Sequence, residues 1–293
     1  MKKIGKLVLS VCLALACVLS LAACNEGAPQ KSAGTGTGIM FGHGSCVTEA
    51  IVTVDGYGKP IKVLFDDIFP LKDISGTIKF DDKGADISLD KAASKVEVPP
   101  ATSQGKPSYY YQYVRIGTHY FKADEQGKYN EIGVSDGITD FMTYYSSTDE
   151  GLQLYYDAFM SGNLYICKVV EEGTDKAVKV GDIYLLDSTA FNTSNGSMRK
   201  RYSKYWSVHT NFGASSMGFI GNMEMLENYL LAYGFDALTG DIKAAVTIPK
   251  EAGGKYNVID GVTTGATLGT DAYIYLTAAY KGYQAALESQ KTL

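Results

Sequence analysis

Gly127-Lys128-Tyr129-Asn130-Glu131-Ile132 and Gly254-Lys255-Tyr256-Asn257-Val258-Ile259 are two versions of one six-residue string. The first continues as Gly133-Val134-Ser135-Asp136-Gly137-Ile138-Thr139. The second continues, after one extra residue (Asp260), as Gly261-Val262-Thr263-Thr264-Gly265-Ala266-Thr267. A single one-residue gap therefore aligns the string, a Gly-Val pair, a hydroxyl residue, a glycine and a threonine. Each copy runs into a tyrosine-rich amphipathic stretch, and each has a hairpin-like stretch upstream. Self-similarity of this kind marks repeated supersecondary units. It predicts an α+β chain of two related modules, 40–190 and 191–293, each a small antiparallel sheet with packed helices.

The flanking patterns fill in those modules. Residues 49–55 and 61–67 alternate in polarity on either side of Gly56-Tyr57-Gly58-Lys59-Pro60 and predict a hairpin. Residues 72–107 are polar, with Pro99-Pro100 and Gly105-Lys106-Pro107, and predict a long excursion. Residues 109–121 predict a strand pair. Ser147 or Thr148 caps a helix through Leu152, Tyr155, Tyr156 and Phe159 that stops near Gly162. Residues 164–170 and 177–186 predict strands, 191–205 a polar then basic connector, and 223–231 a helix. Residues 235–248 predict a second hairpin around Leu238-Thr239-Gly240-Asp241. The last helix spans 271–289, with Ala272, Leu276, Ala279, Tyr280, Tyr283 and Leu287 as its core stripe.

The N-terminus reads as an address. Lys2, Lys3 and Lys6 precede an apolar run, 7–21, too short for a comfortable membrane span. The run ends Leu21-Ala22-Ala23-Cys24, which resembles the bacterial lipobox, with cleavage before Cys24 and acylation of its thiol by palmitate-like chains. Residues 1–23 are then a lipoprotein signal peptide and 24–39 a flexible Gly/Ser/Thr-rich tether. An ordinary secretory signal cleaved near Ala23 would change only the anchor. Either way the protein is exported, and in the first case the lipid holds it on the extracytoplasmic face of the bacterial cell membrane. Loss of the three leader lysines takes the net charge from −5 to −8. Cys46 and Cys167 remain, either as a disulfide or as two buried thiols.

That acidity argues against a nucleic-acid partner. The chain has 3 His, scattered at 43, 119 and 209, and no cysteine pair at ligand spacing, so no metal site is expected. No nucleophile elbow or dinucleotide fingerprint is present. The 22 Tyr read as half-buried strand and interface residues, as a stacking surface for a flavin ring, or as a sugar platform. Arg199-Lys200-Arg201-Tyr202-Ser203-Lys204-Tyr205-Trp206 reads as a solvated connector, or as a contact for anionic polymer or a phosphate.

Asp260-Gly261-Val262-Thr263-Thr264-Gly265-Ala266-Thr267 resembles the flavinylation motif of FMN-binding domains, found in sodium-pumping quinone reductases and extracellular electron-transfer lipoproteins. The family pattern is Asp, two variable residues, Ser or Thr, Gly, Ala, then the acceptor Ser or Thr. Thr264, Gly265, Ala266 and Thr267 match its last four positions. Asp260 lies seven residues before Thr267 where the family has six, so its role is in question. The resemblance implies FMN joined to Thr267 by a phosphodiester, donated from FAD by a flavin transferase with a divalent metal. It also implies a quinone-linked membrane donor and an extracellular electron acceptor. No catalytic constellation of the chain's own is apparent, so it reads as an electron carrier, with a flavin-dependent reductase left open. The first copy has Asp136-Gly137-Ile138-Thr139 at these positions, and Thr139 is expected to stay unmodified in a degenerate module. The alternative is a non-redox lipoprotein that binds a ligand or cell-wall component through tyrosine-rich surfaces.

Overall fold

The computed structural model describes residues 31–42, 45–69, 95–98, 108–111, 113–167, 170–173, 177–180, 183–185, 199–202, 217–249 and 254–292. The signal peptide, Cys24 and most of the excursion at 72–107 lie outside these residues. In chain order the elements are β1 (Gly34–Phe41), β2 (Val47–Val54), β3 (Pro60–Ile68), β4 (Lys95–Val98), β5 (Ser108–Tyr111), β6 (Tyr113–Ile116), β7 (His119–Ala123) and β8 (Tyr129–Glu131). Then come α1 (Phe141–Ser147), α2 (Asp149–Met160), β9 (Leu164–Cys167), β10 (Val170–Gly173), β11 (Ala177–Val180) and β12 (Ile183–Leu185). The chain closes with α3 (Gly218–Tyr233), α4 (Ile242–Ala245), β13 (Val246–Thr247), β14 (Val258–Ile259), β15 (Val262–Thr263) and α5 (Ala272–Ser289). The fold is α+β, and the sheets are antiparallel: β1-β2-β3, β12-β9-β6-β7-β8, β13-β14-β15, and the pairs β4-β5 and β10-β11.

The expected hairpin at 49–67 is present and longer, with Val52 opposite Val63 and Ala50 opposite Phe65. It does not stay within one half of the chain. Val47 and Ile68, at its open end, join a core with Val114, Phe121, Phe141, Tyr145, Tyr155 and Phe159. Ala50, Val52, Val54, Val63 and Phe65 join a second core with α3 and α5. Residues from before and after the expected boundary at 190/191 thus share one core. Large apolar side chains at zero exposure, such as Phe65 and Phe219, each contribute about 1.5–3 kcal/mol. Tyr129, Tyr145, Tyr155 and Tyr275 are fully buried too, so these tyrosines build the cores rather than an outer platform.

The tether expected at 24–39 is corrected from Gly34 onward, where the chain is strand β1. Gly34, Gly36 and Gly38 fall on one face, and their backbone lies directly on α5. A Cβ on Gly36 would sit 2.3 Å from the Ala286 nitrogen, and one on Gly38 2.0 Å from the Ala278 oxygen. Ala278, Gly282 and Ala286, spaced at i, i+4 and i+8, form the matching strip on the helix. The composition that marks a linker is here the composition of a close strand–helix contact. The two ends of the described fold also meet, since Ser32 N donates to Lys291 O at 2.8 Å and Lys291 N to Ser32 Oγ at 3.0 Å.

The hairpin expected at 235–248 is replaced by a 3-10 turn, α4 and the two-residue β13. Asp241 accepts from Ala244 N at 3.2 Å, so Thr239-Gly240-Asp241 starts a helix instead of closing a hairpin. Thr148 caps α2 as expected, accepting from Gly151 N at 3.0 Å. A separate helix, α1, precedes it, with Asp140 as its cap. The strand pair at 109–121 is centred on the β6–β7 turn at Gly117.

Candidate functional site: the Thr264–Thr267 loop

The second copy opens with a tight hairpin. Ile259 pairs with Val262, and the two residues between them, Asp260 and Gly261, have φ of 48° and 75°. A two-residue hairpin turn needs positive φ at its centre, and Asp-Gly supplies it at low cost. Asp260, the residue extra to the first copy, is therefore absorbed as a turn residue. Asp260 is exposed there, while the Thr264 and Thr267 side chains are buried.

Beyond β15 the chain runs as a compact loop into the 3-10 turn at Gly269–Asp271 and then α5. Asn257, at zero exposure, organises it. Its N–H donates to Ala266 O at 2.8 Å, its Oδ1 accepts from Leu268 N at 2.9 Å, and its Nδ2 donates to Gly269 O at 2.8 Å. Thr264 Oγ1 donates to Asn257 O at 2.9 Å and accepts from Ala266 N at 3.1 Å. In the first copy Asn130 Oδ1 likewise accepts from Asp140 N at 3.1 Å. The two bonds span ten and eleven residues, a difference equal to the inserted Asp260. The repeated asparagine is the residue that sequence reading left without a role, though its place in both strings was the signal.

Thr267 does not present the accessible hydroxyl that the resemblance implies. It is 1 % exposed. Its N–H donates to Asn222 Oδ1 at 2.7 Å, and its Oγ1 lies 3.1 Å from the same oxygen. Asn222 is on α3 and also buried, and its Nδ2 donates to Gly218 O at 2.8 Å. Gly265 has φ of 84°, and a Cβ on it would meet Met225 Sδ at 2.9 Å. Ala266 is at zero exposure. Tested against FMN, the residues fit in kind: a hydroxyl, a glycine and a small residue just before a helix. They do not fit in space, because α3 lies on the hydroxyl and its amide is already bonded.

The first copy is its converse. Thr139 and Asp136 are exposed, and Ile138 is half-buried. Glu131 Oε2 accepts from Ile138 N at 2.8 Å, and its Oε1 lies 2.7 Å from His119 Nδ1. Asp140, at φ 51°, caps α1 and accepts from Thr143 Oγ1 at 2.8 Å. Beside it is an open cleft of about 450 Å³ lined by residues including Phe41, Gln126, Lys128, Asp140 and Met142.

The basic run at 199–201 is not solvated. Arg199 pairs with Glu49 and lies 3.6 Å from Asp66; Lys200 Nζ is 2.8 Å from Asp67 Oδ2; Arg201 pairs with Glu227. Asp67 also accepts from Thr48 at 2.7 Å and from the Tyr275 hydroxyl at 2.8 Å. Burial, outweighing the backbone donors and Arg199, pushes the Asp66 carboxyl up to about 7. Burial alone would lower the Lys200 ammonium, but Asp67 and Cys46 beside it hold it well above its usual range. Cys46 is a buried thiol next to Lys200, not half of a disulfide. The Cys167 side chain lies outside the described ones.

Among the described residues no group of three or more His, Cys, Asp or Glu could hold a metal ion, and no helix is long and apolar enough to cross a membrane. No protein-family model matches the chain, and no curated protein or solved structure is significantly similar to it.

Proposed function

We propose that this protein is a lipid-anchored extracellular flavoprotein that carries electrons on FMN bound covalently to Thr267, in a module of the FMN-binding type. Cys24 would hold it at the membrane near a quinone-linked donor, and an extracellular acceptor would take the electrons onward. The observation that carries this reading is the loop itself. The Asp260-Gly261 turn takes up the extra residue, so Thr264-Gly265-Ala266-Thr267 forms one ordered unit between a strand and the closing helix. Covalent attachment suits a compartment from which a diffusible cofactor would be lost, and the flavin when bound supplies the redox chemistry. The chain's own residues set the acceptor in place: Asn257 shapes the loop, and Gly265 provides the positive φ at its bend.

The test is intact mass after co-expression with a flavin transferase. The expected gain is one FMN, lost in Thr267→Val. An unmodified mass beside a control acceptor that is modified in the same cells rejects the reading.

A further inference from the structure

We propose that the turn end of the β2–β3 hairpin, with the entry to β1 and the exit from α5 beside it, is a face that lies on an anionic lipid surface. The inference rests on the lipid anchor of the proposed function and not on the flavin. The chain enters the described fold at this end. Lys31 bridges to Thr292, and a Cβ on Gly56 would lie 2.3 Å from Lys31 O. Gln290 Nε2 donates to Asp55 O at 2.6 Å, and the Leu287 side chain reaches Gly58. The hairpin turn and both ends of the described fold therefore share one surface. Seven residue steps separate Cys24 from Lys31, and even fully extended they span about 25 Å. The start of α5 lies about 27 Å from its end, the rise of its 18 residues. An acyl anchor on Cys24 thus keeps the hairpin end, not the start of α5, at the bilayer.

The side chains at this end suit that contact. Asp55 Oδ1 accepts from Tyr57 N and Lys59 N, both at 2.9 Å, and Gly58 stands at φ 82°. The turn is therefore shaped in advance, and it holds Tyr57 71 % and Ile61 54 % exposed. A tyrosine offers an apolar ring and a wet hydroxyl, the combination that settles at the headgroup boundary. Lys31, Lys59, Lys62 and Lys291 flank the two residues, and all four are exposed. Among the described residues none of these lysines is paired with a carboxylate.

Charge singles this end out. The acids in 31–36, 53–62 and 286–292 are Asp55, which is engaged in the turn, and Glu288. Four cations thus stand against two acids on a mature chain of net charge −8. Lysine stems lie along apolar neighbours while their ammonium groups reach outward, here to lipid phosphates. Near an anionic surface each lysine raises partition about fivefold. The anchor makes the contact intramolecular, so a few such terms fix the orientation of the fold on the membrane.

The test places the acylated chain in nanodiscs of phosphatidylcholine, alone or with about one-third phosphatidylglycerol, and takes the free Cys24→Ser chain as reference. Acetylation by a neutral reagent, read lysine by lysine, reports access. On the anionic discs Lys31, Lys59, Lys62 and Lys291 are expected to react roughly 5-fold more slowly than in the free chain. Lys128, in the β7–β8 turn, and Lys243, beside Tyr273 at the start of α5, should react at unchanged rates. Protection should be weaker on phosphatidylcholine alone. Tyr57→Ser and Lys59→Gln, both at exposed positions, should each restore part of the rate at Lys62 and Lys291. Equal rates on the anionic discs and in the free chain overturn the face, as does protection just as strong at Lys128 and Lys243. Equal protection on both kinds of disc overturns recognition by charge. The mass of the Cys24 peptide decides the anchor separately: an unacylated Cys24 rejects the anchor and this face with it, whereas an acylated Cys24 without protection rejects the face alone.

Discussion

Asp66→Asn should flatten the pH dependence of stability. The buried cluster on β2, β3 and α3 holds Glu49, Asp66, Asp67 and Glu227 against Arg199, Lys200 and Arg201. Four acids face three cations. Asp66 is the odd one, because its nearest cation is at 3.6 Å and engaged with Glu49, whereas the others have close partners. Burial therefore raises its carboxyl from 3.8 to about 7. The sign follows from proton counting. Between these values the folded state keeps a proton that the unfolded chain has released, so stability falls as pH rises through the window. At 1.36 kcal/mol per unit, the full window is worth about 4 kcal/mol, of which about 3 lies above pH 5.

Asparagine keeps the oxygen that accepts from Arg201 N and Asp67 N, both within 2.9 Å, and cannot ionise. Urea unfolding followed by circular dichroism at pH 5, 6, 7 and 8 measures the effect. The natural chain should lose about 3 kcal/mol across that range relative to Asp66→Asn, and the variant should be the more stable protein at pH 8. Burial raises Glu227 as well, which leaves the variant a residual slope of the same sign. Parallel profiles for the two proteins would refute the assignment of Asp66 as the uncompensated acid.

Two further substitutions probe the architecture. Gly36→Ala places a methyl 2.3 Å from the Ala286 nitrogen and 2.4 Å from the Gly282 oxygen, so β1 must move off α5 at a cost of about 3 kcal/mol, read as a lower denaturation midpoint. Asn257→Ala strands the Leu268 amide and the Gly269 carbonyl, costing about 2–4 kcal/mol and speeding hydrogen exchange over 264–269, whereas that segment should be unaffected by Asn130→Ala.

Much of this fold was legible where local chemistry decides it. The hairpin at 49–67 follows from alternation, the Thr148 cap from hydroxyl chemistry, and α5 from its apolar stripe. What failed depended on partners distant in sequence. Gly34, Gly36 and Gly38 are a linker by composition and a docking face only beside Ala278, Gly282 and Ala286. Arg199, Lys200 and Arg201 are a charge run by composition and core cations only beside distant acids, Glu49 and Asp67 more than 130 residues earlier for the first two and Glu227, 26 residues later, for the third. The site divides the same way. The loop sequence was readable, but its enclosure by Asn222 was not, because nothing local pairs residue 222 with 267.

The two copies also separate motif from exposure. In the second, Thr267 has the small neighbours of the flavinylation pattern and is buried against Asn222 of α3. In the first, the equivalent Thr139 is open to solvent, but a half-buried isoleucine and an exposed aspartate flank it. The shared asparagine bond means that the two loops hang from the same backbone device, so their difference lies in the side chains and in what covers them. A transferase that reads the motif would favour the covered Thr267, whereas one that reads accessibility would choose Thr139. Modification confined to Thr267, with none on Thr139 in the Thr267→Val protein, would mean that the local side chains outweigh exposure. Aspartate is the reason to expect that result: its carboxylate lies three residues from the Thr139 hydroxyl and repels the phosphate that any such transfer must bring in.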